Sequence, residues 1–377
     1  MVINVDNFKS SPVNTGLPRI KVFGVGGGGG NVVNRMIQDN VRGVHYLAMN
    51  TDVMALKSSL ADVKLPIGAR LTQGLGAGMK PEIGRAAAEE DIESIKAYLE
   101  NTDLLFLAAG MGGGTGTGAI PMVAEIAKEM GILTVAVVTI PFSFEGPKRL
   151  RLANEGIAQL GKHIDTLVVI PNSKLLELAS PKTTMADAFS MADEVLKQAI
   201  GGITNLINLE GVINLDFADL HTVMSNKGSA FMGTGTGEGD NRGLKAVKKA
   251  LMSPLIAQPI DGATGVIINI VADDQFSLFD AEAAAEHVQN SANQDADVIF
   301  GLVYDPSLVN TVLVTVIATG YDSAYKIKAK EPDRVQLRVA DRVQSNQSLS
   351  EINENKVSSM SGGNGEEMDI PHFMRDK

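Results

Sequence analysis

Residues 110–118 read Gly-Met-Gly-Gly-Gly-Thr-Gly-Thr-Gly. The apolar run Leu104 to Ala108 precedes them and reads as a strand, and a helix-period segment containing Pro121 follows. Glycine lets the backbone turn tightly and come close to a ligand. The stretch therefore sets free backbone N–H groups, with the hydroxyls of Thr115 and Thr117, at a helix N-terminus. That is an anion cradle made of backbone dipoles. A second glycine run, Gly24-Val25-Gly26-Gly27-Gly28-Gly29-Gly30-Asn31, follows the strand candidate Ile20 to Gly24. Gly24, Gly26 and Gly29 satisfy GxGxxG, with Asp52 placed where a ribose-binding acid would sit, so this run alone describes an NAD-linked oxidoreductase. A dinucleotide fold needs one pyrophosphate loop. Two glycine loops in one half of a sheet point instead to a triphosphate held from both sides. No GxxxxGK[ST] occurs, which excludes a P-loop.

On either side of this stretch, further strands are expected at Val44 to Ala48, Leu133 to Ile140 and Thr166 to Ile170. Helical periods lie between the strands, around residues 31–39, 82–100, 119–130 and 149–161. Alternating strands and helices imply an α/β fold with a mainly parallel sheet, Rossmann-like in its first half. Ala186 to Leu209 reads as one long central helix, with Leu196, Ile200, Ile203 and Ile207 at helical spacing and Gly201-Gly202 as a point where it could break. A helix near 241–252 and strands Gly265 to Val271, Val298 to Val303 and Val312 to Thr319 form a second, smaller α/β domain. The expected organisation is an extension at 1–18, a nucleotide-binding domain at 19–185, the central helix and an acidic loop at 186–228, and the second domain at 229–325. A polar linker at 326–366 and a tail peptide at 367–377 complete it. The linker is rich in Ser, Asn, Gln, Lys, Glu and Gly and is expected to be disordered.

Composition narrows the function classes. The 377 residues include no Cys and no Trp, so zinc-thiolate, disulfide and cysteine-nucleophile chemistry are excluded. The five His show no metal-ligand spacing. A net charge of −11 argues against nucleic acid as a partner. No apolar run is long enough to span a bilayer. The polar start, Met1 to Ser11, has no signal-peptide pattern, so a cytoplasmic location without direct membrane insertion is expected.

The motif GGGTGTG at 112–118, in order with GVGGGGGN at 24–31, NTD at 50–52, GLGAG at 74–78, FSFEGPKR at 142–149, VINLDFAD at 212–219 and the terminal DIPHFMR, resembles the FtsZ family of the tubulin/FtsZ superfamily. The resemblance spans nearly the whole ordered chain. It implies a GTP-dependent, self-assembling filament protein of the bacterial division ring, located at mid-cell, with GTP or GDP and Mg²⁺ as cofactors. It implies that Gly27, Gly28, Gly29, Gly30 and Asn31, with Asn50 and Thr51, line one side of the phosphates. Gly112, Gly113, Gly114, Thr115, Gly116, Thr117 and Gly118 line the other. Glu145 would meet the ribose and Arg149 the sugar and phosphates. Read alone, that pair is a surface i,i+4 ion pair.

The segment Ala188-Phe189-Ser190-Met191-Ala192-Asp193 matches the family's base-binding helix start. The implied roles are stacking by Phe189 and acceptance of the guanine N1–H and 2-amino donors by Asp193, which adenine could not satisfy. Asn172 matches a further contact to the base edge. Asn214, Asp216 and Asp219 are the implied catalytic set. They would complete the site of the next subunit by orienting the attacking water, so that head-to-tail assembly switches on hydrolysis. A bare NxDxxD reads more simply as a helix cap. Asp369 to Arg375 is the implied docking peptide for membrane-tethering and regulatory division proteins. On a linker of about 40 residues its reach is roughly 35 Å. Pro147 stands where Lys is common in the family and is expected to stiffen the ribose loop. His221 stands where Arg is frequent and is expected to make assembly pH-sensitive. A non-hydrolysing GTP scaffold and a relative that positions plasmids or membranes are the neighbouring alternatives.

Overall fold

The computed structural model describes residues 18–177, 179–180, 182–208, 216–256 and 258–321. The strands are β1 (Ile20–Val25), β2 (Val44–Asn50), β3 (Val63–Pro66), β4 (Leu104–Gly110), β5 (Leu133–Ile140), β6 (Thr166–Pro171), β7 (Gly228–Glu238), β8 (Gly265–Ala272), β9 (Asp297–Tyr304) and β10 (Thr311–Tyr321). They form one sheet in the order β3-β2-β1-β4-β5-β6-β7-β10-β8-β9. All neighbours are parallel except β10, which runs antiparallel to both β7 and β8. β5, LTVAVVTI, is buried at every position, as a parallel strand covered on both faces must be.

Helices fill the crossovers. They are α1 (Gly26–Gln38), α2 (Val53–Lys57), α3 (Ala69–Thr72), α4 (Pro81–Glu90), α5 (Ile92–Leu99), α6 (Thr115–Glu129), α7 (Pro147–Leu160), α8 (Asn172–Leu175), α9 (Met185–Asn208), α10 (Phe217–Met224), α11 (Arg242–Leu251) and α12 (Leu278–Ser291). The helix expected over 82–100 is divided at Asp91. The Asp91 carboxylate accepts the Gly68 N–H at 2.7 Å, and its backbone leaves helical geometry at φ −115°.

α9 runs unbroken through Gly201 and Gly202. By the helical rise it is about 36 Å long. Gly202 is buried, and its carbonyl accepts Asn269 Nδ2 of β8 at 3.1 Å. Leu196, Ala199, Ile200, Ile203 and Leu206 are buried in a core shared with β1, β4 and β5 and with Ile267 and Ile317 of the second half. Full burial of such a side chain stabilises by about 1.5–3 kcal/mol. The strand order reverses at β1, which lies between β2 and β4. Ligand crevices in open α/β sheets form at the carboxyl ends of strands flanking such a point, and both glycine stretches lie there.

Candidate nucleotide site

The sequence places the glycines in loops, with helices starting near residues 31 and 119. In the structure the helices start earlier. α1 opens at Gly26 and α6 at Thr115, so the glycines form the first turns themselves. Neither N-terminus has a side-chain cap or an acidic residue in its first turn. The first N–H groups of each helix therefore remain unpaired, and their dipoles favour an anion.

Packing sorts the glycines into two sets. A Cβ on Gly28 would lie 2.9 Å from Gly110 N, and one on Gly116 2.9 Å from Gly110 O. One on Gly29 would collide with the Ala108 carbonyl and one on Gly118 with that of Pro81. At Gly27, Gly30 and Gly113 a Cβ would meet nothing within 4 Å. The fold explains the first set. The second faces open space, where a bound group would come against the backbone. Gly26, at φ +72°, puts the two helix starts in contact, since a Cβ added there would fall 2.9 Å from Gly116 N.

Both threonine hydroxyls of the cradle have partners within the protein. Thr115 Oγ1 meets Thr51 Oγ1 at 2.6 Å, tying the end of β2 to α6. Thr117 Oγ1 accepts the Gly112 N–H at 2.8 Å and shapes the turn before α6. Asn50 is buried, and its Oδ1 accepts the Asp52 N–H at 3.2 Å. Asp52 caps α2 by accepting from Met54 N and Ala55 N. Both bonds fall on its Oδ1, so the carboxylate serves a helix terminus.

Beside the cradle, the turn Ser143–Glu145 leads into α7. Glu145 Oε1 accepts the Phe142 N–H at 2.9 Å, and Oε2 accepts from Arg149 Nη1 at 2.5 Å. The i,i+4 ion pair thus exists, and Arg149 also overlooks Gly112, whose added Cβ would lie 2.8 Å from the Arg149 carbonyl. Pro147 occupies the first position of α7 behind Gly146, where its missing N–H is harmless.

Phe189 is 42% exposed at the start of α9, with its ring edge-on to Phe142 at 5.4 Å. Four residues on, Asp193 is partly buried. Loss of solvation pushes its carboxyl up to about 6, against the lowering effect of Arg35. Asn172 is buried at the end of β6, and its Oδ1 has no hydrogen-bond partner. An exposed ring, an under-solvated carboxylate and an orphaned amide oxygen together fit a planar base carrying N–H donors.

The structure does not bring Asp216 and Asp219 to this cradle. α9 ends with Asn208 Nδ2 donating to the Gly43 carbonyl at 3.0 Å, before β2 begins. α10 ends with its Met224 carbonyl accepting from Thr166, the first residue of β6. These helix ends stand at the amino edge of the strands, whereas the cradle stands at the carboxyl edge. Asp216 is the N-cap of α10, its Oδ1 accepting the Asp219 N–H at 2.8 Å, and both side chains are exposed. Asn214, the extension 1–17, the linker and the Asp369 to Arg375 peptide lie outside the described residues. Among the described residues no group of three or more His, Cys, Asp or Glu could hold a metal ion, and no helix is long and apolar enough to cross a membrane.

Two features escaped the sequence reading. Phe142 is 1% exposed and stacks on Phe144 at 5.0 Å, so it backs the ring of Phe189. The paired aromatics of Phe142-Ser143-Phe144 were its only signal. Arg35, on the second half of α1, reaches α9 and bonds Glu194 at 3.2 Å. Nothing local in the sequence marks that contact.

The Tubulin/FtsZ family GTPase domain matches residues 19–180, and the FtsZ family C-terminal domain matches residues 228–322. Among solved structures the chain is similar to an empty FtsZ dimer from M. jannaschii, with 45% identity, 80% of this chain and 88% of that chain covered, and a TM-score of 0.78. A mutant FtsZ from M. jannaschii gives 44% identity, 82% and 92% coverage, and a TM-score of 0.79. CetZ2 from Haloferax volcanii, in a GTPgS-bound protofilament, shares the fold at 17% identity, 89% and 99% coverage, and a TM-score of 0.70.

Proposed function

The chain belongs to the tubulin/FtsZ family, a family whose GTPase domain binds GTP and GDP, and on that basis we propose that it is an assembly-activated GTPase whose subunits complete one another's sites. The observation that carries the reading is the separation of Asp216 and Asp219 from the uncapped starts of α1 and α6. One subunit offers an anion cradle at one edge of its sheet and exposed carboxylates at the other. Head-to-tail stacking joins these edges between copies, and a contact of that kind builds an open filament.

In this reading Gly27 to Asn31 and Gly112 to Gly118 line the phosphates, which are held by the N–H groups that the first turns of α1 and α6 leave unpaired. Asn50 and Thr51 fix the end of β2 against α6. Glu145 and Arg149 take the ribose side, and Phe189, Asn172 and Asp193 take guanine. Asp216 and Asp219 of the next copy, with Asn214, orient water in line with the terminal phosphate. Phosphoryl transfer needs positioning and charge stabilisation more than covalent help. Magnesium, when bound with the nucleotide, neutralises phosphate charge. Met54, Leu71 and Leu75, 68%, 50% and 83% exposed, give a second copy apolar surface to cover near the cradle. The family resemblance of Asp369 to Arg375 supports recruitment of division proteins to a mid-cell ring, with the chain itself remaining in the cytoplasm.

The test is GTP hydrolysis per subunit against protein concentration, with GTP binding measured in parallel. Specific activity rising above a threshold concentration is expected. A specific activity that stays flat from high dilution upward would mean that each subunit holds a complete site, and the reading would fall.

A further inference from the structure

The last turn of α10 is finished by hydroxyls from both halves of the sheet. The helix ends in an extended residue, Ser225 at φ −70° and ψ 127°, so no left-handed closing turn takes up its terminal carbonyls. The Ser225 N–H donates to the His221 carbonyl. The carbonyls of Val223 and Met224 are left without a partner inside the helix. Thr319 Oγ1 of β10 donates to the Val223 carbonyl at 2.9 Å. Thr166 Oγ1 of β6 donates to the Met224 carbonyl. Both threonines are 0% exposed, so bulk water cannot stand in for either hydroxyl.

The seat is shaped as well as polar. Leu220, Val223 and Met224 of α10 are buried. A Cβ on Gly265 of β8 would lie 2.7 Å from both the Val223 side chain and Thr319 Oγ1, so the end of α10 rests directly on the β8 backbone. The Gly265 carbonyl stands farther from the Thr319 hydroxyl, at 3.3 Å. That hydroxyl has one proton to give, and its shorter bond goes to α10. At the other end of the same helix, Asp216 and Asp219 are exposed. Eight helical residues span about 12 Å. A tilt in the seating of the last turn is therefore carried to the first.

We propose that Thr166 and Thr319 are positioning residues for GTP hydrolysis. By gripping the last turn of α10, one from each half, they set where Asp216 and Asp219 are presented to the neighbouring subunit. This rests on the reading of those aspartates as part of the next copy's site. Thr166 opens β6, and Thr319 lies near the end of the antiparallel β10. Both thus stand at the edge opposite the cradle. Their loss slows turnover and spares the subunit's own hold on its nucleotide.

The experiment compares Thr166→Val and Thr319→Val with Thr166→Ser and Thr319→Ser. It measures GTP turnover and KM per assembled subunit, and GDP affinity below the assembly threshold. Val keeps the shape and removes the hydroxyl, whereas Ser keeps the hydroxyl. Each Val variant is expected to turn over about 10-fold more slowly, as misplacement from a distant substitution does. KM and GDP affinity are expected to hold, and the Ser variants to recover most of the rate. Val variants as fast as the unaltered protein would overturn the proposal. A loss of GDP affinity that matches the loss of rate, or Ser variants no faster than Val, would overturn it too, since either describes general damage to the fold. Where a Val variant does not fold, Ala against Ser at that position repeats the comparison, because both lack the methyl group and only Ser keeps the hydroxyl. Asp216→Ala, measured alongside, separates the layers of inference. If it retains turnover, the assignment of the aspartates is wrong and the proposal falls with it. If it loses turnover while the Val variants keep theirs, only the role of the threonines is wrong.

Discussion

The starts of α1 and α6 differ from the start of α10 in how each helix is finished. α1 and α6 begin with no side-chain cap, no acid in the first turn and glycines that either abut backbone atoms or face open space. α10 begins with Asp216 as cap and Asp219 in its first turn, both in solvent. A capped helix satisfies its own N–H groups. An uncapped and partly buried one leaves them to something else. The cradle is thus complete only with an anion in it. The aspartates of α10 already have a local task, so any catalytic role must use what capping leaves over, such as the second oxygen of Asp216.

The strongest challenge to that contrast lies at Asp216. Asp216→Ala is expected to lower GTP turnover about 10²-fold or more while GTP binding persists, in line with the loss of a proton-handling or water-orienting group. Gly29→Ala comes next. Its methyl group would collide with the Ala108 carbonyl, and chemical denaturation should show a loss of about 1–3 kcal/mol. Gly27→Ala probes the same helix start from the other side. Its methyl group meets no protein atom, so stability should hold or rise slightly. GTP titration should nevertheless show binding weakened about 10-fold, or 1.4 kcal/mol. If GTP binding is untouched, the open face of α1 is not where the phosphates lie. The smallest effect is on stability at Asp216. Asn caps a helix as well as Asp, whereas Ala costs about 1 kcal/mol. Asp216→Asn should therefore unfold like the unaltered protein yet hydrolyse GTP as poorly as Asp216→Ala. Retained turnover in the Asn variant would leave Asp216 as a cap and nothing more.

Much of this architecture was legible from apolar pattern. β5 matches its expected span from Leu133 to Ile140 because burial on both faces left an unbroken apolar run. The long helix was legible from Leu196, Ile200, Ile203 and Ile207, and its glycine pair did not break it because the surrounding core holds the backbone. β7 was invisible for an instructive reason. Gly233, Gly235 and Gly237 alternate along it, and a Cβ on any of them would strike the backbone of α11. The strand gave up its β-branched signature so that a helix could lie directly on the sheet. α12 was missed as well, since of its buried positions Ala281, Ala284 and Val288 only the last is large enough to mark a period. Within the candidate site, the glycines and the residues proposed to face the base stand out in the sequence as motifs. The Arg35 to Glu194 link does not, because it joins residues 159 positions apart.

The junction of β6 and β7 is held by three register pairs, Thr166 with Gly228, Leu167 with Ser229 and Val168 with Ala230. β4 and β5, by contrast, pair along the whole length from Leu104 to Gly110. Mechanically, that short junction is a compliant seam in an otherwise stiff plate. In the proposed head-to-tail assembly, load passing between the two halves of a subunit would cross that seam. The bending stiffness of the assembly would then follow the rigidity of α9, a rod anchored on both sides of the seam, more than the number of strands in the sheet.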